Sequence, residues 1–372
     1  MQRWMSLWAG LALAVASLCA HADLLIGQTA GFSGIVAASV QETTAGARLY
    51  LDHVNARGGV LGQKITLISL DDKFDPKLAA ENARQLIEEK NVLALFLTRG
   101  TPHNEAILPL LEKYGVPLIA PSTGAMVFHQ PVNKHVFNVR SSYQREAEKA
   151  VMHLATIGVQ RIAVLYVNDS FGADALAGAQ KGMTAAKLDP VVLAKFDRAK
   201  PDFAPLVQQV VKTDAQSVLV LGSGKAVADA VQALRAAGSA AQVVTLSNNA
   251  SSGFVKSLGE NARGVVITQV FPSERSIAYA IVKEAQTLLK AQNKSAAELS
   301  PIMLEGFTAA KVLVEGLQRA GPQPTRERLR TALESIRKFD LGGMELSYAP
   351  DDHTGLVFTD LSIVGRDGKF LR

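Results

Sequence analysis

The stretch from residue 53 to residue 76 constrains the fold of this chain most, because it joins a helix, a tight turn, a strand and a second helix. Upstream of the turn, Ala47, Leu51 and Val54 recur at i, i+4 and i+7, the apolar stripe of a helix packed on one side. The glycine pair at 58 and 59 then supplies the left-handed backbone that ends such a helix. The pattern predicts a helix that turns directly into the next element.

That next element is a strand with polar groups at its carboxyl end. Residues 65–70 form a short run rich in branched apolar side chains, and Asp71 and Asp72 follow it. Asp75 and Pro76 then provide an N-cap and the first residue of another helix. The sequence predicts a β-α-β-α unit of an open α/β sheet, and such sheets hold ligands at the carboxyl ends of their strands.

The same scheme repeats along the chain. With 372 residues the protein exceeds one ordinary core, and a new series of strand, polar loop and helix begins in its second half. We therefore predict an α/β fold with two doubly wound parallel-sheet lobes joined by a three-segment hinge. The expected first lobe comprises residues 23–140 plus 271–341, and the expected second lobe comprises residues 141–270 plus 342–372.

The N-terminus predicts a signal peptide. A basic start at residues 1–3, an apolar run at residues 7–18 and a small-x-small site that ends at Ala22 are typical of export. We therefore expect cleavage after Ala22 and a periplasmic protein. Lipidation at Cys19 is the alternative, which the preceding Leu18 disfavours. Because Cys19 is the only cysteine, the mature chain has no disulfide, and its stability must come from burial.

Charge and motifs exclude several functions. The net charge of +5 is spread over the chain without basic runs, so no nucleic-acid partner is predicted. The positive balance could attract anionic solutes or be an ordinary solvated surface. The histidines lack metal-ligand spacing, and neither G-x-S-x-G nor G-x-G-x-x-G occurs, so we predict no metal, cofactor or catalytic residue. Asp71 and Asp72 could form an acid-base pair, but adjacent strand residues point to opposite faces.

Polar loops after the strands are the candidate ligand site. Arg99, Gly100 and Thr101 precede a helix whose unpaired N–H groups could bind an anion. The alternative is that Thr101 only caps this helix and that Arg99 is solvated. After the following strand, Ser122 and Thr123 could donate to a carboxylate. In the second half, strands end in similar loops at residues 168–172, 222–224 and 247–249.

Six segments of the chain are together similar to one known family. They are residues 54–65, Asp71-Asp72, Asp75-Pro76, residues 114–122, residues 169–172 and Asp202-Phe203. In this order they resemble the periplasmic leucine/isoleucine/valine-binding protein family, and the resemblance covers residues 23–370. It implies a monomeric type I periplasmic binding protein that delivers a solute to the membrane permease of an ABC importer.

The resemblance also implies a ligand site. In this family the loops after the third and fourth strands hold the ligand's carboxylate, and an aromatic residue of the second lobe lies over the ligand. The matching positions here are Gly100, Thr101, Ser122, Thr123, Gly124 and Phe171. On closure we expect Phe171, Ser223 and Asn249 to reach the solute.

Two departures from the family bear on the ligand. Asn248 and Asn249 stand where the branched-chain amino acid binders carry an acidic residue for the α-ammonium, and a tyrosine is missing near Ser223. A buried ammonium without a charged partner is costly. Such substitutions resemble the relatives that bind aromatic or other organic carboxylates. A ligand sensor that signals through a membrane receptor is the alternative to a transport role.

Overall fold

A computed structural model describes residues 22–292 and 298–372. Residues 1–21, which form nearly all of the predicted signal peptide, lie outside this range. Within the described residues, no helix has both the length and the apolar character needed to cross a bilayer.

The described chain alternates strands and helices. The strands are β1 (Leu24–Ala30), β2 (Ile65–Asp71), β3 (Ala94–Phe96), β4 (Leu118–Ile119), β5 (Val136–Phe137), β6 (Ile162–Val167), β7 (Val192–Phe196), β8 (Ser217–Leu221), β9 (Gln242–Thr245), β10 (Val266–Gln269), β11 (Phe339–Asp340), β12 (Glu345–Leu346), β13 (Asp360–Val364) and β14 (Phe370–Leu371). The helices are α1 (Ala37–Ala56), α2 (Pro76–Glu88), α3 (Thr101–Tyr114), α4 (Tyr143–Thr156), α5 (Ser170–Ala186), α6 (Ala204–Lys212), α7 (Lys225–Ala236), α8 (Ser252–Leu258), α9 (Ala280–Ala291), α10 (Pro301–Ala320) and α11 (Arg326–Glu334).

The two main sheets share one strand order. The first sheet is parallel, in the order β2-β1-β3-β4-β5. The second repeats this order as β7-β6-β8-β9-β10 and adds β13 and β14, which are antiparallel, beside β10. In such sheets the crevice for ligands lies where the strand order reverses, between the first and third strands. The predicted fold class of two doubly wound lobes is confirmed, with an antiparallel edge that the sequence did not predict.

The helix-turn-strand stretch folds through local contacts. The side chain of Asn55, at the end of α1, both donates to and accepts from the backbone of Ile65, at 2.8 Å each. Gly59 in the intervening turn has a φ of +75°, and a Cβ there would lie 2.0 Å from the carbonyl oxygen of Gln63. Asp75 caps α2 by accepting from the next two backbone N–H groups after Pro76. The turn residues therefore fix where β2 starts and where α2 begins.

Helices α1 and α10 pack with their backbones in contact. A Cβ at Gly46 of α1 would lie 1.9 Å from the carbonyl oxygen of Met303, and a Cβ at Gly306 of α10 would lie 1.8 Å from that of Thr43. Only glycine allows such an approach without displacing a backbone. The two helices cover one face of the first sheet, where Ala47 and Phe307 are buried in the core.

The described chain crosses between the lobes three times. Val139, Val270 and Leu356 pack in the core on the first sheet. Ile267 and Leu361 lie in β10 and β13 of the second sheet, and Tyr143 begins α4, which contacts both strands. At the hinge, the hydroxyls of Ser141 and Thr359 are 3.0 Å apart and join the first and third crossings.

The packing of residues 342–356 favours a different lobe boundary from the expected one. Residues 342–356 were expected in the second lobe, yet Leu346 and Tyr348 are buried in the first core, where Tyr348 packs edge-on against Phe137. Strands β11 and β12 form a separate antiparallel pair and do not join the second sheet. We therefore propose that the third crossing lies at residues 357–359.

The contact between α1 and α10 predicts different costs for two glycine substitutions on one helix. Gly306→Ala should lower the free energy of unfolding by about 1–3 kcal/mol, because its methyl group meets the backbone of α1. Gly316→Ala is the matched control, since the nearest atom there is Cδ2 of the Leu333 side chain, at 2.6 Å, and not a backbone atom. Urea denaturation measures both. Equal losses would show that the backbone contact is not the cause.

Candidate functional site

The carboxyl ends of the two sheets face each other. Nη2 of Arg99, which follows β3, donates to the carbonyl oxygen of Asn248, which follows β9, at 2.8 Å. The backbone N–H of Lys225, which follows β8, donates to the carbonyl oxygen of Ile35, in the loop after β1, at 3.1 Å. The polar loops of both lobes therefore border one gap.

The backbones of the lobes touch at Gly224. Its φ is +53°, and a Cβ there would lie 1.9 Å from the carbonyl oxygen of Ile35. Glycine therefore permits both the conformation and the approach at this point.

The loops after β3 and β4 bring the predicted first-lobe residues together. Gly100 has a φ of +97° and precedes α3, whose first residue is Thr101. The hydroxyls of Thr101 and Thr123 are 2.7 Å apart, and the hydroxyl of Ser122 lies 3.0 Å from Nη1 of Arg99. Gly124 has a different role. A Cβ there would meet the backbones of Ser141 and Tyr143, so this glycine lets the loop pack on the hinge.

The predicted second-lobe residues divide into two groups. Asn249 bonds through its side-chain amide within the lobe, because it donates to Gly222 and Thr245 and accepts from the N–H of Gly224. Asn249 therefore holds the loops after β8 and β9 together. Asn248 donates to the hydroxyl of Ser223 at 3.0 Å, but its Oδ1 is buried and has no hydrogen-bond partner in the described structure.

Phe171 belongs to an aromatic cluster between the lobes. It lies at the start of α5 and packs edge-on against Tyr143, with 4.8 Å between the ring centroids. The guanidinium of Arg198 lies over Phe171 and over Phe74 of the first lobe, 6.0 and 5.1 Å from the ring centroids. Phe74 in turn stacks on His103. This cluster gives the gap an apolar wall with one cation on it.

Arg99 is buried in the gap, with 3% of its surface exposed. Its guanidinium donates to Ser122, to the hydroxyl of Ser39 at 3.4 Å and to the carbonyl of Asn248. These three acceptors are neutral, and among the described residues no carboxylate lies within the 4.0 Å of an ion pair. Burial lowers the pKa of Arg99.

A second buried arginine lies on the hinge. Arg140 contacts Glu146, donates to the hydroxyl of Ser247 at 2.6 Å, and has Glu305 3.7 Å from its Nη1. Burial alone would lower the pKa of Arg140, but the Glu305 and Glu146 carboxylates outweigh it and raise that pKa. Arg140 therefore joins residues of both lobes through paired charges.

Two cavities border these residues. A groove of about 540 Å³ lies between the lobes and is lined by residues that include Ser39, Gly224 and Asn249. A cavity of about 10 Å³ lies against Arg99 and Ser122, which is room for roughly one water. A larger solute can reach Ser122 only if the facing surfaces separate.

The paired aspartates after β2 have opposite environments. Asp72 is fully buried, accepts from Thr29 and from the N–H of Phe74, and desolvation raises its pKa to about 6. The exposed Asp71 accepts from Ser33, and such hydrogen bonds outweigh its slight desolvation and lower its pKa. The pair is therefore structural, because the two carboxylates tie the loop after β2 to strand β1 and to the loop that follows it.

Sequence reasoning missed several residues at the gap. Ser39, Tyr143, Arg140 and Glu305 were not predicted. Glu305 alone had a recognisable signal, as the single charge in the apolar start of α10. Its Oε1 accepts from the hydroxyl of Ser122 at 3.3 Å, which places it beside the predicted carboxylate loop. Among the described residues, no group of three or more His, Cys, Asp or Glu could hold a metal ion.

Two lobes of this topology with polar loops on both sides of one gap define a two-lobed binding protein of the type I class. The chain belongs to the periplasmic binding protein family, whose sequence model matches residues 24–364. The family consists of substrate-binding proteins, so this chain is not an enzyme, as predicted.

Individual relatives of this chain point to the same family. The chain is similar to a crystal structure of a substrate-binding periplasmic protein from Ralstonia solanacearum, with 32% identity, coverage of 94% of this chain and 99% of that one, and a TM-score of 0.87. It is 25% identical to the "Leu/Ile/Val-binding protein homolog 3" of Brucella melitensis, over 89% of this chain and 88% of the relative.

A more distant structure supports the fold alone. It is that of a branched-chain amino acid ABC transporter protein from Thermus thermophilus with bound valine, at 16% identity and a TM-score of 0.83. The match covers 94% of this chain and 95% of that one.

The predicted resemblance to the Leu/Ile/Val-binding family is confirmed by the family model and by the relative from Brucella melitensis.

The buried Asp72 predicts a pH-dependent effect on stability. Its folded pKa of about 6 exceeds its unfolded pKa, so the folded state binds the proton more tightly and the ionised carboxylate destabilises the fold at higher pH. The free energy of unfolding of Asp72→Asn, relative to that of the wild type, should therefore increase by about 1–3 kcal/mol as pH rises from about 4 to 6. Denaturant titrations at several pH values measure this difference.

The neighbouring Asp71→Asn is the control for Asp72→Asn. The folded pKa of Asp71 is lowered, so this variant should lose stability relative to the wild type as pH rises through the acidic range. A difference for Asp72→Asn that stays constant with pH would contradict the assigned shift.

Proposed function

We propose that this protein is the extracytoplasmic substrate-binding component of an ABC importer of the branched-chain amino acid type. It captures a small carboxylate-bearing solute between its lobes and delivers it to a membrane permease. One observation carries the proposal: the hydroxyl loop of the first lobe at Ser122 and the Asn248 loop of the second meet through Arg99 across one gap. The family relationship supports the same role.

The first lobe offers the groups that a carboxylate needs. Hydroxyls at Thr101, Ser122 and Thr123 gather within one pair of loops, and the first-turn N–H groups of α3 carry the partial positive charge of a helix start. The solute binds here first. The second lobe then closes over it and brings Phe171 and Asn248.

The hinge is suited to such a closure. Each lobe keeps its own sheet, and three chain segments cross between them, so rotation can bend these segments while each sheet keeps its strand pairing. The paired charges of Arg140, Glu146 and Glu305 hold the hinge together during this motion.

The solute is an amino acid or an aromatic or aliphatic acid. The relative from Brucella is named for leucine, isoleucine and valine, which favours an amino acid. Asn248 and Asn249 favour an acid without an ammonium group, because neither can neutralise a buried cation. Both classes share the carboxylate that the hydroxyl loops bind.

We further propose that the chain is exported, that the signal peptide is cleaved after Ala22, and that the protein acts in the periplasm as a monomer. The alternative function is a sensor, since ligand-induced closure could equally be presented to a membrane receptor. Uptake of the identified solute by a strain that lacks this gene separates the two. Lost uptake supports transport, whereas intact uptake with a lost response to the solute supports sensing.

The carboxylate site predicts the effect of removing its hydroxyls. The double variant Ser122→Ala, Thr123→Ala should weaken solute binding by about 1–3 kcal/mol for each buried partner lost. The solute is first found by a thermal-shift screen of amino acids and organic acids, because a ligand of the native state raises the melting temperature. Titration calorimetry then gives both dissociation constants.

Thr287→Ala, on the exposed face of α9, is the control for this experiment. It also removes a hydroxyl but lies outside the gap, so its dissociation constant should match that of the wild type. An unchanged dissociation constant in the double variant would remove Ser122 and Thr123 from the site.

A further inference from the structure

We propose that Arg99 binds the anionic group of the solute directly and makes this site selective for carboxylates that lack an α-ammonium group. The inference rests on the solute-binding function proposed above and specifies its ligand class.

Arg99 has no counter-charge beside it among the described residues. A buried guanidinium is stable when a carboxylate pairs with it, yet the hydrogen-bond acceptors of Arg99 are two hydroxyls and one carbonyl. Such acceptors replace lost water contacts but do not neutralise the charge. An anionic solute next to Arg99 would supply the charge that the protein does not.

Arg140 shows how this fold treats a buried arginine that is only structural. It is 1% exposed, against 3% for Arg99, so both are equally buried. Arg140 has Glu146 and Glu305 beside it, whereas the described structure gives Arg99 no ion pair. Since the same hinge region provides two carboxylates for one arginine, the lack of one at the other is a local feature of the gap.

The position of Arg99 suits a ligand contact. Its Nη1 lies 3.0 Å from the hydroxyl of Ser122, on the loop to which we assign the solute carboxylate. Its Nη2 reaches Ser39, which lines the open groove between the lobes, and Asn248 of the second lobe. A carboxylate at Ser122 would therefore lie beside a cation that also touches the closing lobe. Neutralising this cation would strengthen closure.

The same charge disfavours an α-ammonium. An α-ammonium lies within a few ångströms of its own carboxylate, so it would be held close to Arg99 in a gap of low dielectric constant, where like charges repel. Besides Tyr143, the ionisable groups that act most on Arg99 are the acid Glu305 and the cations Arg140 and Arg198. Glu305 already interacts with Arg140 and accepts from Ser122. The one carboxylate among these groups therefore already faces a buried cation.

Matched ligand pairs test the selectivity. The full mature chain is titrated with 4-methylpentanoate against leucine, with 3-phenylpropanoate against phenylalanine, and with propanoate against alanine. Each pair shares a side chain and a carboxylate and differs only in the ammonium. We expect the desamino acid of at least one pair to bind roughly tenfold or more tightly than its amino acid.

Variants at Arg99 test the residue. Arg99→Gln should weaken binding of that desamino acid by about 10- to 100-fold and reduce its advantage over the amino acid. Arg99→Lys keeps the charge but not the forked geometry, so it should keep the preference with weaker binding. Arg84→Gln is the matched control, since this arginine is 60% exposed on α2 and should leave binding unchanged. The melting temperature of each variant without ligand reports whether it is folded.

Each outcome is decisive. If the amino acid binds as tightly as its desamino partner in every pair that binds, the inference is overturned but carboxylate binding stays intact. Unchanged desamino binding in Arg99→Gln, with a lower melting temperature, makes Arg99 a structural residue. If no member of any pair binds to the wild type, the proposed carboxylate site itself fails.

Discussion

The direction of the parallel strands is the constraint on which the rest of this structure depends. Because β1, β3 and β4 run the same way, the loops that follow them lie at one edge of the first sheet, and the second sheet repeats this arrangement in the same strand order. The three crossings then turn both edges toward one gap. Residues far apart in the sequence, such as Arg99 and Asn248, meet there without any long-range pattern in the sequence to indicate it.

What could be predicted from the sequence was local or periodic. The turn at Gly58 and Gly59, strand β2 and the cap at Asp75 each depend on neighbouring residues, and the structure has all of them. The proximity of Thr101 and Thr123 also followed, because the carboxyl ends of adjacent parallel strands must be close. The assignment of these residues to ligand binding stays a proposal.

What could not be predicted depends on how the lobes and crossings meet. The Arg140, Glu146 and Glu305 cluster draws on the hinge, the second lobe and a helix near the end of the chain, so no spacing in the sequence indicates it. The pairing of β11 with β12 was missed for a related reason. Such short strands carry little pattern, and only the burial of Leu346 and Tyr348 shows which core they join. Asn249 stays a predicted ligand contact, and the sequence did not indicate that its amide also bonds to Gly222, Gly224 and Thr245 of its own lobe.

The contact between Gly224 and Ile35 limits how closely the two lobes can approach each other. The two lobes meet there through main-chain atoms. Their contact therefore requires a residue without a side chain at position 224, and it does not involve the solute. A methyl group at this point would keep the lobes apart without changing any residue that contacts the solute. Under the closure that we propose, the affinity for the solute would depend partly on a contact that the solute does not touch.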